Sequence, residues 1–363
     1  MTKELLPLNI KTLPSIDMSV VDTLGLASII QALRAIEKDV RSDTTRRVYR
    51  QDAKHFFTWL YDNHIAVADI TRDVMNSYNN ALIAHRWEKH GDEQRYKNIT
   101  INRMFTVARR IVNELVFTGT LQSNPFERKI KGLPVSDVTS HAALSEKQVE
   151  QLLERIDTTT IKGKRDYAIV TLLVRTGLRR DECVQLNVGN LEKRQGHDIA
   201  DIEHGKGNKE RIVKVPVDVR RVIQEYEDAL AHYKDKENKT VGRTYASDHA
   251  PLFVSFRRGD HPSLVTVENT VTHEQRKGEA RIDVKAIELL VKRLGKAIGV
   301  DDLTPHGLRA TCITLLLKHG APIHKVQQVA GHADPRTTER YDKDKFNLDD
   351  NAVDVLAFLA RKP

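Results

Sequence analysis

Residues 131–141 (KGLPVSDVTSH) constrain this chain more than any other stretch, because they divide two different hydrophobic patterns. They hold a glycine, a proline and several turn formers but no apolar period, which reads as an interdomain linker. Ahead of them, Leu24, Leu26, Ile29, Ile30, Leu33 and Ile36 recur at helical spacing. Ser42-Asp43-Thr44 is an N-cap cluster for a second helix with Val48, Phe56, Phe57 and Leu60 on its apolar side. Thr71-Arg72-Asp73 opens a third helix towards His90, stopped by Gly91, and a fourth runs from about Gln94 to Val116 and ends near Gly119. The expectation is an all-α domain over 21–130, preceded by a flexible arm at 1–20, which contains Pro7 and Pro14.

Beyond the linker, taken as 131–144, helices alternate with short strands. Ser145 and Gln148 form a capping-box candidate, and a helix over 164–175 ends at Thr176-Gly177. Residues 199–202 and 211–215 read as strands around a turn at 204–209, with further short strands at 252–254 and 264–267. Helices are expected at 284–298, 309–319, 323–330 and 352–360. The fold expected is mainly α with a small antiparallel β-sheet: the all-α first domain, a mixed α+β domain over 145–348, and a C-terminal helix at 349–363.

Composition excludes several classes. With 40% hydrophobic and 30% charged residues the chain is neither disordered nor a membrane protein, and no apolar run approaches the ~18 residues of a spanning helix. The N-terminus lacks a basic start followed by an apolar stretch, so no secretory signal is visible. Two cysteines, Cys183 and Cys312, exclude a disulfide framework and read as core residues in a reducing cytoplasm. The 15 histidines include no His-Glu-x-x-His, and the two that lie in motifs stand beside arginines, whose charge opposes a cation; no metal and no cofactor is expected. No Gly-x-Ser-x-Gly elbow supports a serine hydrolase. The net charge of +8 is shared, +4 in residues 1–140 and +4 in the rest, so a polyanionic partner would touch both parts.

A set of motifs in one order carries the chemistry. Thr176-Gly177-Leu178-Arg179 is followed by Glu182, on the same side if a helix begins there. Gly205-Lys206-Gly207-Asn208-Lys209 is a glycine-flanked lysine turn without P-loop spacing. His306-Gly307-Leu308-Arg309 sets His and Arg on one helix face, and Gly331-His332 precedes Tyr341 by nine residues. Taken singly, each has an ordinary structural reading: a salt-bridged arginine, a solvated hairpin tip, a helix-flanking aromatic.

Taken together and in order, Arg179, Lys206, His306, Arg309, His332 and Tyr341 resemble the catalytic set of the tyrosine recombinases, or phage-integrase family, over about residues 145–345. The resemblance implies that the first five handle a DNA phosphate, that Tyr341 is the nucleophile, and that Glu182 supports the site. It makes the all-α domain a core-binding domain that clamps DNA. Lys209, Arg211, Arg47, Arg50, Arg103 and Arg336 are the candidate DNA contacts. It also implies a homotetramer on paired inverted-repeat sites, with the C-terminal helix docking either on its own domain or on a neighbouring protomer, and action on the nucleoid in the cytoplasm. Arg180 departs from the aliphatic residue usual there, Ala310 stands where many members have His, and 258–281 looks longer than the family minimum.

The residue types suit the reaction. A phenol can hold a phosphate covalently without metal or water. Two arginines can fork onto non-bridging oxygens, a lysine can protonate the leaving 5′ oxygen, and histidine can exchange protons near neutral pH. Two other readings share parts of this pattern: a type IB topoisomerase that relaxes DNA as a monomer, and a non-catalytic DNA-binding protein on the same scaffold. The filled catalytic positions and the recombinase-like GKGNKER and HGLR strings favour recombination.

Overall fold

Apolar residues three and four apart fold the first part of the chain into helices α1 (Met18–Thr23), α2 (Ala27–Lys38), α3 (Asp43–Asp62), α4 (Arg72–Ala84) and α5 (Asn98–Phe117). The computed structural model describes residues 17–40, 42–89, 92–126, 130–135, 143–202, 211–233, 248–257, 261–268, 275–332, 334–339 and 341. The chain divides into two units, Met1–Ser136 and Asp137–Pro363. In the first, Ser42 caps α3 by accepting from the Thr45 N–H, and Thr71 caps α4 by accepting from that of Val74. Each cap satisfies a donor that a helix start leaves open. Ile29, Leu33, Phe56, Phe57, Leu60, Met75, Ile111 and Val112 bury together in one core. At roughly 1.5–3 kcal/mol per large apolar side chain, that shared burial outweighs intrinsic helix propensity in fixing these helices.

The helix expected to reach His90 ends at Ala84, and the next begins at Asn98 rather than near Gln94. Between them β1 (Arg86–Lys89) pairs antiparallel with β2 (Asp92–Arg95). The run RWEKHGDEQR has no apolar stripe for a helix to bury, so paired strands win at 86–89 and 92–95. Of the arm, residues 18–20 already belong to α1, with Asp17 as its cap; 1–16 lie outside the described residues.

The second unit runs α6 (Glu146–Glu154), α7 (Ile161–Thr176), α8 (Arg180–Gln185), β3 (Leu191–Arg194), β4 (His197–Ile202), β5 (Arg211–Lys214), α9 (Val217–Ala231), β6 (Leu264–Glu268), β7 (Gln275–Glu279), α10 (Val284–Ala297), α11 (Pro305–Lys318), α12 (Ile323–Ala330) and α13 (Pro335–Glu339). Strands β3, β4 and β5 form an antiparallel sheet in that order, and β6 and β7 form a separate ribbon within the long 258–281 stretch. Ser145 and Gln148 make both bonds of the capping box. Helix α7 is buried on nearly every side and packs against α9 and α11, which makes it the centre of the unit.

Elements α9, β3, β7 and α13 go beyond the sequence expectation. Helix α9 buries Val219, Ile223, Tyr226 and Leu230, a helical stripe present in the sequence. Strand β3 is a four-residue edge strand, LEKR, with no alternation of its own. The strand expected at 252–254 is reduced to isolated bridges at Pro251 and Val254, and Leu252, Phe253 and Val254 are all fully buried in the core. The C-terminal helix expected at 349–363 lies outside the described residues. Among the described residues no helix is long and apolar enough to cross a membrane.

Gly163 shows how closely α7 is held. A Cβ there would stand 1.6 Å from the Asp157 carbonyl oxygen. Alanine normally stabilises a helix interior by about 1 kcal/mol relative to glycine. Gly163→Ala should instead lower stability by about 2 kcal/mol through overpacking, read as an earlier midpoint in urea unfolding. An unchanged or later midpoint would contradict this approach of backbone to backbone.

Candidate active site

Two helices end on glycine where the motifs meet. Helix α7 stops at Gly177 (φ 62°) and α12 at Gly331 (φ 60°), left-handed conformations that a Cβ resists. The last carbonyls of a helix have no partner within it and carry its partial negative charge. Arginines take them here. Arg309, on α11 and only 1% exposed, donates from one terminal nitrogen to the Gly177 carbonyl and from the other to that of Ala330. Arg179, the residue before α8, donates from Nη2 to the Gly331 carbonyl at 3.0 Å. Gly331 also leaves room for a third arginine: a Cβ there would lie 2.9 Å from Arg211 Cδ and 3.1 Å from its Cζ.

Glu182, buried in the first turn of α8, joins two of these guanidiniums. Its Oε1 accepts from Arg179 Nη1 at 2.8 Å and from Arg211 Nη1 at 2.5 Å. Its Oε2 accepts the Arg179 backbone N–H at 2.8 Å and Arg211 Nη2 at 2.9 Å. Burial pushes the Glu182 carboxyl up, but the hydrogen bonds from Arg211 and from Arg179 outweigh it and hold the group below the usual carboxylate range. Arg309 is lowered to about 10 by burial and then by Arg179, which leaves it charged at neutral pH. Three guanidiniums and one carboxylate give the cluster an excess of positive charge.

His332 follows Gly331, and its Nδ1 lies 2.9 Å from Thr338 Oγ1. Burial, followed by the charges of Arg309 and Arg179, lowers it to about 4, so the imidazole is neutral at pH 7. The ring stacks on Tyr341 with centroids 6.2 Å apart and planes 13° apart. The Tyr341 hydroxyl lies 3.4 Å from Nε2 of His306, an exposed residue in the first turn of α11.

The polar run at 334–340 predicts an exposed segment around Tyr341; the structure corrects this expectation. Asp334, Pro335 and Arg336 are exposed, but Thr338 and Tyr341 are buried, the phenol against Ala310, Ile313, Val326 and Ala330. The polar run forms α13, whose inner side carries Thr338, and three residues on the chain turns the aromatic ring to the same side. The ring is covered while its hydroxyl faces the exposed imidazole.

Arg179, Glu182, His306, Arg309, His332 and Tyr341 thus converge, and Arg211 joins them rather than lying on an outer surface. Lys206 and Lys209 lie outside the described residues. Arg47 is exposed on α3 and Arg336 on α13. In the first unit, Arg50 forks onto Glu37 and Arg103 onto Asp52, with nitrogen–oxygen distances of 2.7–3.0 Å. Thr338 and the carbonyls of Gly177, Ala330 and Gly331 are site groups that sequence reasoning missed; glycine directly after a helical stripe was the available signal.

A cavity of about 590 Å³ opens beside His306, lined also by Arg179, Arg309, Lys285 and Lys292. Arg180 borders it and pairs with Glu288 of α10. Its arginines and lysines outnumber its two carboxylates, Asp181 and Glu288, so the cavity favours an anion; Tyr341 does not line it and reaches its edge only through the contact with His306. Among the described residues no group of three His, Cys, Asp or Glu could hold a metal ion.

The low His332 value links the site to stability. Folding lowers this group from 6.5 to about 4, so between those values the unfolded chain binds a proton that the folded chain does not. Stability therefore rises with pH across that window and is lost as pH falls through it. His332→Gln should flatten that part of the curve, measured by urea unfolding from pH 4 to 7.5. A slope equal to that of the parent protein would contradict the burial of a neutral imidazole.

The sequence matches the phage integrase family over residues 142–347 and the phage integrase SAM-like domain over 26–132. A tyrosine recombinase of Synechococcus elongatus is 27% identical over 94% of this chain and 98% of its own length. Tyrosine recombinase XerD of Shewanella oneidensis is 30% identical over 83% of this chain and 86% of its own length. The fold is shared with XerH bound to palindromic difH (TM-score 0.60, 15% identity, 94% of this chain and 87% of that one). It is shared also with a lambda integrase dimer on a core site (TM-score 0.61, 13% identity, 90% and 97%). With this family match over the motif-bearing unit, and relatives that carry the same name along most of their length, the chain belongs to the phage integrase family and is a tyrosine site-specific recombinase.

Proposed function

We propose that the chain cuts and rejoins duplex DNA through a 3′-phosphotyrosine on Tyr341 and exchanges strands between two short inverted-repeat sites by way of a Holliday junction. The observation that carries this reading is the meeting of Arg179 and Arg309 at the Ala330–Gly331 helix end, where His332 stacks on the Tyr341 ring and His306 lies 3.4 Å from its hydroxyl, with positive charge in excess of the single carboxylate. Arg179 and Arg309 fork onto the non-bridging oxygens of the scissile phosphate. The Tyr341 oxygen attacks phosphorus and gives up its proton, for which His306 is the nearest acceptor. The bond to the 5′ oxygen breaks as Lys206 protonates it. The phosphate ester to Tyr341 conserves the bond energy, and a 5′-hydroxyl from the second duplex reverses the step. Neutral His332 donates to phosphate while Thr338 satisfies its other nitrogen.

In this reading 21–130 is a core-binding domain that clamps DNA, and 145–348 is the catalytic domain. Lys209, Arg47, Arg50, Arg103 and Arg336 contact the backbone. Four protomers assemble on paired sites through residues 349–363, and the enzyme works on the nucleoid in the cytoplasm. The DNA-bound XerH and lambda integrase structures, similar in fold, support a duplex as the partner.

Tyr341→Phe should abolish the covalent protein–DNA adduct while site affinity in a gel shift stays within about twofold, since no ground-state phosphate contact is removed. Adduct at the parental level would overturn the assignment. Arg179→Lys should slow cleavage about 100-fold, because a point charge cannot reproduce the fork; parental rates would reduce Arg179 to a structural ion pair. Deleting residues 350–363 should spare binding to one site and remove cooperative binding to two adjacent sites; surviving cooperativity would mean that this segment packs on its own domain.

A further inference from the structure

The Glu182 carboxylate makes four contacts, and two of them come from Arg211. Arg211 opens β5 and reaches the cluster from a different element than Arg179 or Arg309. It does two physical things there. Both terminal nitrogens neutralise Glu182, so that carboxylate does not consume the charge of Arg179. Its side chain also lies so close to Gly331 that no Cβ fits between them. Gly331 is the α12 cap whose carbonyl receives Arg179 Nη2 and whose next residue is His332.

We infer that Arg211 is a positioning residue for strand cleavage: it neutralises Glu182 and braces the Gly331 cap, so that Arg179 keeps both its charge and its place for the scissile phosphate. The inference rests on the strand-cleavage reading above and assigns to Arg211 a role different from a contact along the DNA.

The charge balance makes the idea specific. With Arg211 present, the Arg211–Glu182 pair is neutral, and Arg179 and Arg309 supply two uncompensated positive charges. Without it, Glu182 faces Arg179 alone, through the Nη1 contact and the backbone N–H. The guanidinium is then drawn into an ordinary buried ion pair. Removing the carboxylate as well restores the balance, because a neutral amide at Glu182 no longer needs a second cation. A role in packing alone predicts no such recovery. Side-chain exposure at the pair is 14% for Arg211 and 2% for Glu182, so solvent does little to screen these charges.

The test is a charge cycle in the full-length protein with four forms: parent, Arg211→Gln, Glu182→Gln and the double variant. Single-turnover cleavage at saturating DNA is one readout, with DNA affinity measured separately. Arg211→Gln should slow cleavage about 30-fold while DNA affinity changes less than about threefold, as expected when preorganisation rather than binding is lost. The double variant should cleave about 5-fold or more faster than Arg211→Gln, and Arg211→Lys, which keeps the charge, should also outperform it. The second readout needs no DNA: the His332 imidazole is titrated by NMR. Its pKa should rise in Arg211→Gln, which loses a nearby cation, and fall back in the double variant. A double variant no faster than Arg211→Gln, or a His332 titration that follows neither change, would overturn the assignment. If Arg211→Gln proves unstable, the comparison of the Lys and double variants decides between charge balance and packing. The titration responds to Arg211 whether or not the protein cleaves DNA, so a failed cleavage reading and a failed Arg211 assignment give different results.

Discussion

Three guanidiniums, Arg179 and Arg211 on one buried carboxylate and Arg179 and Arg309 on the carbonyl ends of two helices, set the terms for the second unit. Two like charges 4 Å apart repel by about 4 kcal/mol at an effective dielectric near 20, so such a cluster needs fixed compensation. Glu182 supplies one negative charge, and the carbonyls of Gly177, Ala330 and Gly331 supply helix-end dipoles at no cost in side-chain entropy. That compensation is incomplete, and an anion among the arginines relieves the remainder. In the proposed reaction that relief would grow as charge builds on the oxygens of a five-coordinate phosphorus, so the same residues would bind that transition state better than the ground state.

The same charge fixes the state of its neighbours. Burial, reinforced by the charges of Arg309 and Arg179, keeps His332 neutral, and Thr338 Oγ1 against Nδ1 orients the ring. Tyr341 stacks on that ring, with its side chain buried and its hydroxyl towards His306. The Tyr341 side chain, 4% exposed, is therefore held by packing while its hydroxyl lies 3.4 Å from the exposed His306 imidazole. Helix α13 makes this possible, because it turns a polar segment so that Thr338 and Tyr341 share the inner side.

Much of this was legible in the sequence, and the losses have physical causes. Helical stripes such as Ile29-Leu33-Ile36 and the Ser145–Gln148 box announce themselves because local spacing decides burial and capping. The motif residues were recognisable as a set because their order survives large separations along the chain. Local pattern fails where tertiary contact decides: the β1–β2 ribbon replaces helix ends that had nothing to bury, and β3 is a strand only because β4 lies beside it. The burial of Tyr341 escaped for the same reason, since the polar residues before it describe the outer side of α13 and say nothing of the inner one. Arg211 looked like one more basic residue near a lysine turn. Its place on Glu182 depends on β5 meeting α8, which no spacing reveals.

The most direct measurement is chemical. A nicked duplex carrying candidate inverted repeats from the DNA around the gene would trap the proposed covalent intermediate, because the short strand released on cleavage diffuses away. Protease and nuclease digestion followed by mass spectrometry then identifies the attached residue and the end of the DNA that it holds. The expected result is one peptide containing Tyr341 joined to a 3′-phosphate. An adduct on any other residue, or on a 5′-phosphate, would contradict the account.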